Sequence, residues 1–414
     1  MRIKKNLVIM YALACLHGMV FYGPVAVLYR QAAGVSVFQT ALIESISLVL
    51  TVLLELPWGI AADRIGYRRT LIICSVLFFI SKIIFWRADS FGWFLAERLL
   101  LGIVCAGMSG VDAAVLYLSC EDGGAQKVFS IYNNWGMAGL LAASAVYSAV
   151  IGENYRLAGL MTVFSYGLGA VLVFGLQDVK GQESRTHTVL TEGPYLWKRL
   201  FFNKNIFFLL LASALLSETH QTITVFLNQL QFVRSGMNAG MIAAVYMVMT
   251  LSGLLGGASA RVTERFGVQK TGTALFLICS IACFILALTC RMGPSIAAVL
   301  ILHISHSVFQ PLQMELQNRV INTGNRATAL SFNAVIMNTT AVLINLIMGK
   351  AAESDLRISM ALGGVFCTVG FVLFQLYEKT GNRSNRRNES NRRRGQHGSV
   401  SNVEGRPVIA GGPG

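Results

Sequence analysis

Two acidic side chains lie inside long apolar stretches of the chain, where a charge is costly. Asp112 belongs to the apolar run 92–118, and Glu218 belongs to the run 205–231. Ionisable residues at membrane depth usually mark ion or substrate pathways. Because loss of water favours the neutral form of a carboxyl group, such a residue can take up a proton in one state and release it in another. We therefore predict Asp112 and Glu218 as proton-coupling candidates. For Asp112, a structural hydrogen bond is the alternative.

Polar side chains in other apolar runs are candidates for lining a substrate cavity. His303, His306 and Gln310 fall on one stripe of a helix because they lie three and seven residues apart. Their alternative role is a set of satisfied helix contacts. We predict no metal there, since no carboxylate partner is evident. Arg98 either holds an anionic substrate group or pairs with Glu97 or another acid. The full set of cavity candidates is His17, Tyr22, Arg98, Asn228, Gln229, His303, His306 and Gln310.

A charged loop separates two apolar runs at residues 59–69, where the sequence is GIAADRIGYRR. It is repeated 201 positions later, at residues 260–270, as ARVTERFGVQK. In this alignment Asp63 matches Glu264, and Gly66 matches Gly267. A charged turn used once in each half of an apolar chain indicates a duplicated membrane protein whose halves move against each other.

The composition excludes an ordinary soluble protein. The 414 residues are 54% hydrophobic and 13% charged, about half the charged fraction of soluble domains. The formal net charge of +14 does not indicate nucleic-acid binding, because six arginines lie in the polar tail at residues 383–394 and most other basic residues stand between apolar runs. The eight cysteines form no CxxC pair, so we interpret them as small buried hydrophobic residues. We expect no cofactor.

Twelve apolar runs are long enough to cross a bilayer core of about 30 Å as helices. They predict an all-α membrane protein of two six-helix bundles at residues 1–176 and 205–378. A central cytoplasmic loop at 177–204 and a disordered basic tail at 379–414 complete the chain. The predicted spans are 7–29, 38–60, 70–87, 92–118, 127–151, 156–176, 205–231, 239–260, 271–290, 294–317, 327–350 and 356–377.

An even number of spans places both ends of the chain on one side of the membrane. The basic start MRIKK and the arginine-rich tail predict that this side is the cytoplasm, since basic residues are retained inside. The short loops support the orientation only weakly. We expect a multi-pass protein of the inner membrane that is monomeric, contacts the bilayer and binds no nucleic acid.

The first charged loop resembles the signature loop of major facilitator superfamily transporters, and the resemblance covers about residues 1–378. Smaller matches at 55–57 (ELP), 109–112 (SGVD) and 326–331 (RATALS) resemble a bacterial efflux-type branch. In that family the acid of the loop caps the start of span eleven and locks the outward-open state, and spans one, four, seven and ten line the cavity. The residues that carry the loop pattern, and thus the predicted gating motif, are Gly59, Asp63, Arg64, Gly66, Arg68 and Arg69.

Two departures from the branch pattern weaken the prediction of proton-coupled drug export. Leu118 follows Tyr117 where branch members carry an acid, and span five lacks the glycine-proline motif of many drug/proton antiporters.

The resemblance implies a secondary transporter for a small solute, with proton-coupled efflux as the leading expectation. Uptake or facilitated diffusion of a sugar, peptide or other metabolite is the alternative, followed by a sensor without transport on the same fold. The sequence contains no nucleotide-binding GxxxxGK[ST] run and no evident nucleophile, base and metal constellation, so we expect no enzyme.

Overall fold

The computed structural model describes the backbone of residues 2–120, 125–178, 204–320 and 326–400, and all regular secondary structure in these ranges is helical. Twelve segments are long and apolar enough to cross a membrane. Their ends lie within a few residues of the predicted ones, which confirms the twelve-span fold. The central loop predicted at 177–204 falls almost entirely outside the described residues.

The first six spans are built from eight helices. Spans one and four each consist of two helices, and a π-helical segment, Tyr147–Ile151, ends span five. In chain order the helices are Arg2–Gly18, Ala26–Ala32, Val37–Ile65, Tyr67–Arg87, Phe91–Met108, Val111–Leu118, Ala125–Val146 and Tyr155–Leu172.

The last six spans are also built from eight helices. Span seven contains a π-helical segment, Thr222–Leu227, and span eight a 3-10 segment, Gly253–Ala258. In chain order the helices are Lys204–Gln221, Asn228–Arg234, Ala239–Ser252, Ser259–Phe266, Val268–Leu288, Met292–Val320, Arg326–Ser354 and Leu356–Val400.

Both copies of the charged loop have the same backbone geometry. Gly66 ends the second span and begins the third with φ +93°, and Gly267 does the same between the eighth and ninth with φ +82°. Only glycine adopts this left-handed region readily. The duplication predicted from the sequence is therefore present in the turns as well as in the spacing.

Small residues allow the first and fifth spans to pack closely. A Cβ atom on Gly139 would overlap the backbone of Cys15, and one on Gly18 would overlap the backbone of Gly136. Because lipid supplies little hydrophobic drive between helices, such close backbone contact is a main source of packing energy in membranes.

The last helix differs from the prediction for the tail. It continues from the twelfth span to Val400, whereas residues 379–414 were predicted to be disordered. No proline stands between Leu356 and Val400, so the helical hydrogen-bond ladder is not interrupted there. Residues 401–414 lie outside the described part of the chain.

Candidate functional site

A cavity of about 310 Å³ lies between the two halves of the protein. Spans two and four form one wall, and spans seven and eleven form the other. The family resemblance implied that spans one, four, seven and ten line the cavity. Spans four and seven do so, but spans two and eleven line it in place of spans one and ten. The polar residues of its lining are Glu44, Ser47, Thr51, Arg98, Glu218, Gln221, Asn338 and Asn345.

One buried carboxylate binds two guanidinium groups in the first wall. Nη1 of Arg30 donates to Oε1 of Glu44 at 3.0 Å, and Nε of Arg98 donates to Oε2 at 2.7 Å. Nη2 of Arg98 also donates to Oε2 of Glu44. The acid that pairs with Arg98 is therefore Glu44, and not its neighbour Glu97. Sequence reasoning missed Glu44, although an acid inside an apolar run was a usable signal.

A second buried ion pair lies behind the first. Nζ of Lys82 contacts Oε1 of Glu97 at 3.2 Å and donates to the hydroxyl of Tyr22 at 3.1 Å. Only 4% of the Lys82 side chain is exposed, so its ammonium group is buried within the first half and does not reach the membrane surface. Its charge is held inside by Glu97 and by the ring of Phe78, whose centroid lies 5.1 Å from Nζ.

Glu218 brings a carboxyl group to the second wall. It is half-buried, and none of the ion pairs formed by the described residues includes it. Glu218 is thus the carboxyl of the described lining that has no cationic partner, whereas Glu44 has two.

The predicted histidine stripe faces a third histidine instead of the cavity. Nδ1 of His303 lies 3.1 Å from Nε2 of His220, and the rings of His220 and His306 stack with centroids 3.9 Å apart. Gln310 is exposed. Among the described residues, no group of three or more potential ligands is arranged to hold a metal. The cluster was not foreseen because His220 belongs to a different span.

Three further cavity candidates make contacts within their own half. The ring of His17 stacks on Tyr166 at 5.1 Å between centroids, and Tyr22 stacks on Phe85 at 3.9 Å. The amide of Asn228 lies 3.8 Å from the sulfur of Met249. None of them belongs to the described lining of the cavity, so their role in substrate binding stays a prediction.

Asp112 lies at the break in span four. Gly110 has a left-handed φ of +80°, and Asp112 stands in the first turn of the helix that follows. Its carboxylate accepts from the amide of Ala113 at 2.7 Å and interacts with the hydroxyl of Tyr132. These contacts fit the structural alternative, and a proton-carrying role for Asp112 stays a prediction.

The two halves contact each other at the membrane side opposite the chain's N terminus, which we call the distal side. Gln229, a predicted cavity residue, accepts from the backbone amides of Val27 at 2.9 Å and Leu28 at 3.4 Å. Ser148 donates to the carbonyl of Gly240 at 3.0 Å. These bonds join spans one and seven and spans five and eight. The structure is therefore the state that is closed on the distal side.

We expect Gln229→Leu to favour opening of the distal side, because the amides of Val27 and Leu28 lose their acceptor. A single cysteine introduced at Ser148 into a cysteine-free chain should then react faster with an impermeant thiol reagent applied from the distal side. Gln375→Leu is the control, since the hydrogen bond that Gln375 makes within the described part of the chain is to Thr273, in the same half. Equal labelling rates in all three proteins would contradict a gating role for Gln229.

The predicted gating loop is anchored to the first half by one of its arginines. Nε of Arg68 donates to the carbonyl of Leu176 at 2.6 Å, and Nη2 donates to that of Phe174 at 3.3 Å. This contact is with the end of span six. Asp63 lies on the helix Val37–Ile65, but its side chain falls outside the described residues.

Comparisons with known proteins agree on one fold. The pattern of the Major Facilitator Superfamily matches residues 7–344. The nucleoside transporter NupG superposes with a TM-score of 0.75 at 15% identity, over 92% of this chain and 100% of that chain. A bacterial homologue of the human lysosomal transporter Spinster, solved inward-facing and unoccupied, gives 0.68 at 18% identity, over 91% and 96%. A POT family transporter in complex with 5-aminolevulinic acid gives 0.69 at 13%, over 92% and 99%. No curated protein matches the chain.

Proposed function

Because the chain belongs to the major facilitator superfamily, we propose that it is a secondary transporter that exports a small solute in exchange for protons. The observation that carries the proposal is the cavity between the halves, which contains a carboxyl group that pairs with no cation in the described part of the chain. In alternating access a substrate binds at such an interface near the midplane and is exposed to one side and then to the other.

Glu218 is the proton carrier in this proposal. A carboxyl group that lines a cavity is accessible to protons from whichever side is open, and carboxyl groups at membrane depth commonly serve as proton relays. The bonds of Gln229 and Ser148 close the distal side. With both termini in the cytoplasm, as the basic ends support, this state would load solute from inside the cell.

Export as the direction is supported by the resemblance of residues 55–57, 109–112 and 326–331 to the efflux-type branch. Proteins of the same fold differ in their solutes: one is a nucleoside transporter, and another was solved in complex with 5-aminolevulinic acid. The substrate therefore has to be argued from the side chains of this chain's own cavity.

Glu218→Gln should abolish proton movement evoked by a transported solute, because an amide cannot carry the proton, while solute exchange persists at saturating solute. The measurement uses the purified full chain in liposomes that contain a pH-sensitive dye, screened against a metabolite and drug panel and repeated with labelled solute on both sides. Asp112→Asn is the matched control and should retain coupling.

Full proton coupling in Glu218→Gln would refute its role as carrier. Loss of coupling in Asp112→Asn alone would transfer that role to Asp112. Solute accumulation against a gradient only toward the cytoplasmic side would replace export with uptake. A complete absence of flux for every solute would favour a sensor on the transporter fold.

A further inference from the structure

We propose that the cavity binds a small zwitterion, with its anionic group on Arg98 and its ammonium group on Glu218. This inference rests on the proposed transport function and specifies its substrate class. It follows from the balance of charge across the cavity, the exposure of the groups that carry the charge, and the size of the space.

Among the described residues, the buried ion-pair groups in and behind the first-half wall carry one more positive than negative charge. Three cations, Arg30, Lys82 and Arg98, share two carboxylates, Glu44 and Glu97, so the balance is 3 − 2 = +1. Uncompensated charge at membrane depth is costly. An anionic ligand would reduce that cost at this wall.

Arg98 is the cation of this group that is available to a ligand. Its side chain is 30% exposed, compared with 4% for both Arg30 and Lys82. Its Nε and Nη2 atoms bind Glu44, and within the described residues no hydrogen bond uses Nη1. The guanidinium fork recognises carboxylate and phosphate groups well, so the anionic end of a ligand fits here.

The opposite wall presents complementary chemistry. The carboxyl group of Glu218 has no ion-pair partner among the described residues, and the amides of Gln221, Asn338 and Asn345 line the same cavity. An ammonium group offers three hydrogen-bond donors and one positive charge. It can therefore bind the carboxylate and the amide oxygens together.

A zwitterion compensates both walls at once. A simple anion would leave Glu218 charged without a partner, and a simple cation would leave the excess positive charge on the first wall. The ammonium group would also compete with a proton for Glu218, which accounts for exchange of solute against proton. The volume of about 310 Å³ lies at the low end of the range of about 300–1,000 Å³ for ligand pockets, which favours a small solute.

The test measures binding to the purified full chain by calorimetry, with a panel of α-amino acids, ω-amino acids and small betaines. The tightest amine-bearing zwitterion is then compared with its amide, which lacks the carboxylate, and with its deaminated acid, which lacks the amine. We expect each analogue to bind about tenfold or more weakly, as loss of a charge-assisted hydrogen bond predicts.

Two variants test which wall of the cavity binds the anionic group of the ligand and which binds its ammonium group. Arg98→Gln should remove the preference for the zwitterion over its amide, and Glu218→Gln should remove the preference over the deaminated acid. Arg98→Gln leaves the Arg30–Glu44 pair in place, so the protein should still fold, which thermal unfolding checks. Arg357→Gln, at an exposed arginine outside the lining, should change neither preference.

Equal binding of the analogues, or no binding by any zwitterion in the panel, would overturn the inference. So would preferences that persist in Arg98→Gln and Glu218→Gln. These failures are distinct from failure of the proposed function. If the protein transports solutes equally well with and without a carboxylate group, only the proposal of a zwitterionic substrate is refuted. If it moves no solute at all, the proposed transport function is refuted.

Discussion

Glu44→Gln is expected to destabilise the folded protein by about 3–5 kcal/mol, the range for breaking a buried ion pair from one side, and to abolish transport. The variant keeps the shape of the side chain but removes the carboxylate that binds both Arg30 and Arg98. Two guanidinium groups would then face each other at membrane depth without an anion between them. Thermal unfolding in detergent measures the loss of stability, and liposome flux measures transport.

The matched control is Glu353→Gln, which makes the same substitution at an exposed acid paired with Lys350. Exposed pairs contribute little, so its unfolding should resemble that of the unchanged protein. Arg98→Gln should be milder than Glu44→Gln, because it removes the excess charge and leaves one carboxylate for one guanidinium. If Glu44→Gln unfolds like the control, the cluster of Arg30, Glu44 and Arg98 does not support the first bundle.

The spans and the charged turns could be predicted because their signals are local. Apolar length alone predicted the twelve spans, and the glycines at 66 and 267 predicted the turns. Pro24 lies in the 3-10 turn that divides span one, as expected of a residue that cannot continue the helical hydrogen-bond ladder. Each of these features depends on the residue and its immediate neighbours in the chain.

The partners of the buried charges could not be predicted, since they depend on how distant spans align in depth. Glu97 is adjacent to Arg98 in sequence but points to Lys82, while Arg98 binds Glu44, which lies 54 positions away. Adjacent residues on a helix face different directions. His220 and His303 are likewise 83 positions apart. Helix register, which hydropathy does not encode, decides these contacts.

Asp63→Asn is expected to slow transport about tenfold or more, as loss of one charge-assisted hydrogen bond predicts, while expression and solute binding stay nearly unchanged. In the family that the loop resembles, this acid caps the start of span eleven near Arg326 and locks the outward-open state. A carboxylate at a helix N-terminus is stabilised by the exposed amides and the helix dipole, and an asparagine keeps the shape but not the charge.

The distally closed structure explains why the effect should appear in the rate and not in binding. Gln229 and Ser148 hold this state together from the distal side, whereas Asp63 is predicted to act in the opposite state. Asp63→Asn should therefore raise the share of distally closed molecules, so that a cysteine at Ser148 reacts more slowly with a distal thiol reagent.

Glu264→Gln, at the matching position of the second loop, is the control and should transport nearly normally because that copy has lost its first glycine to Ala260. Unaltered flux in Asp63→Asn would reject the lock, and equal loss in both variants would mean that both copies of the loop act as gates.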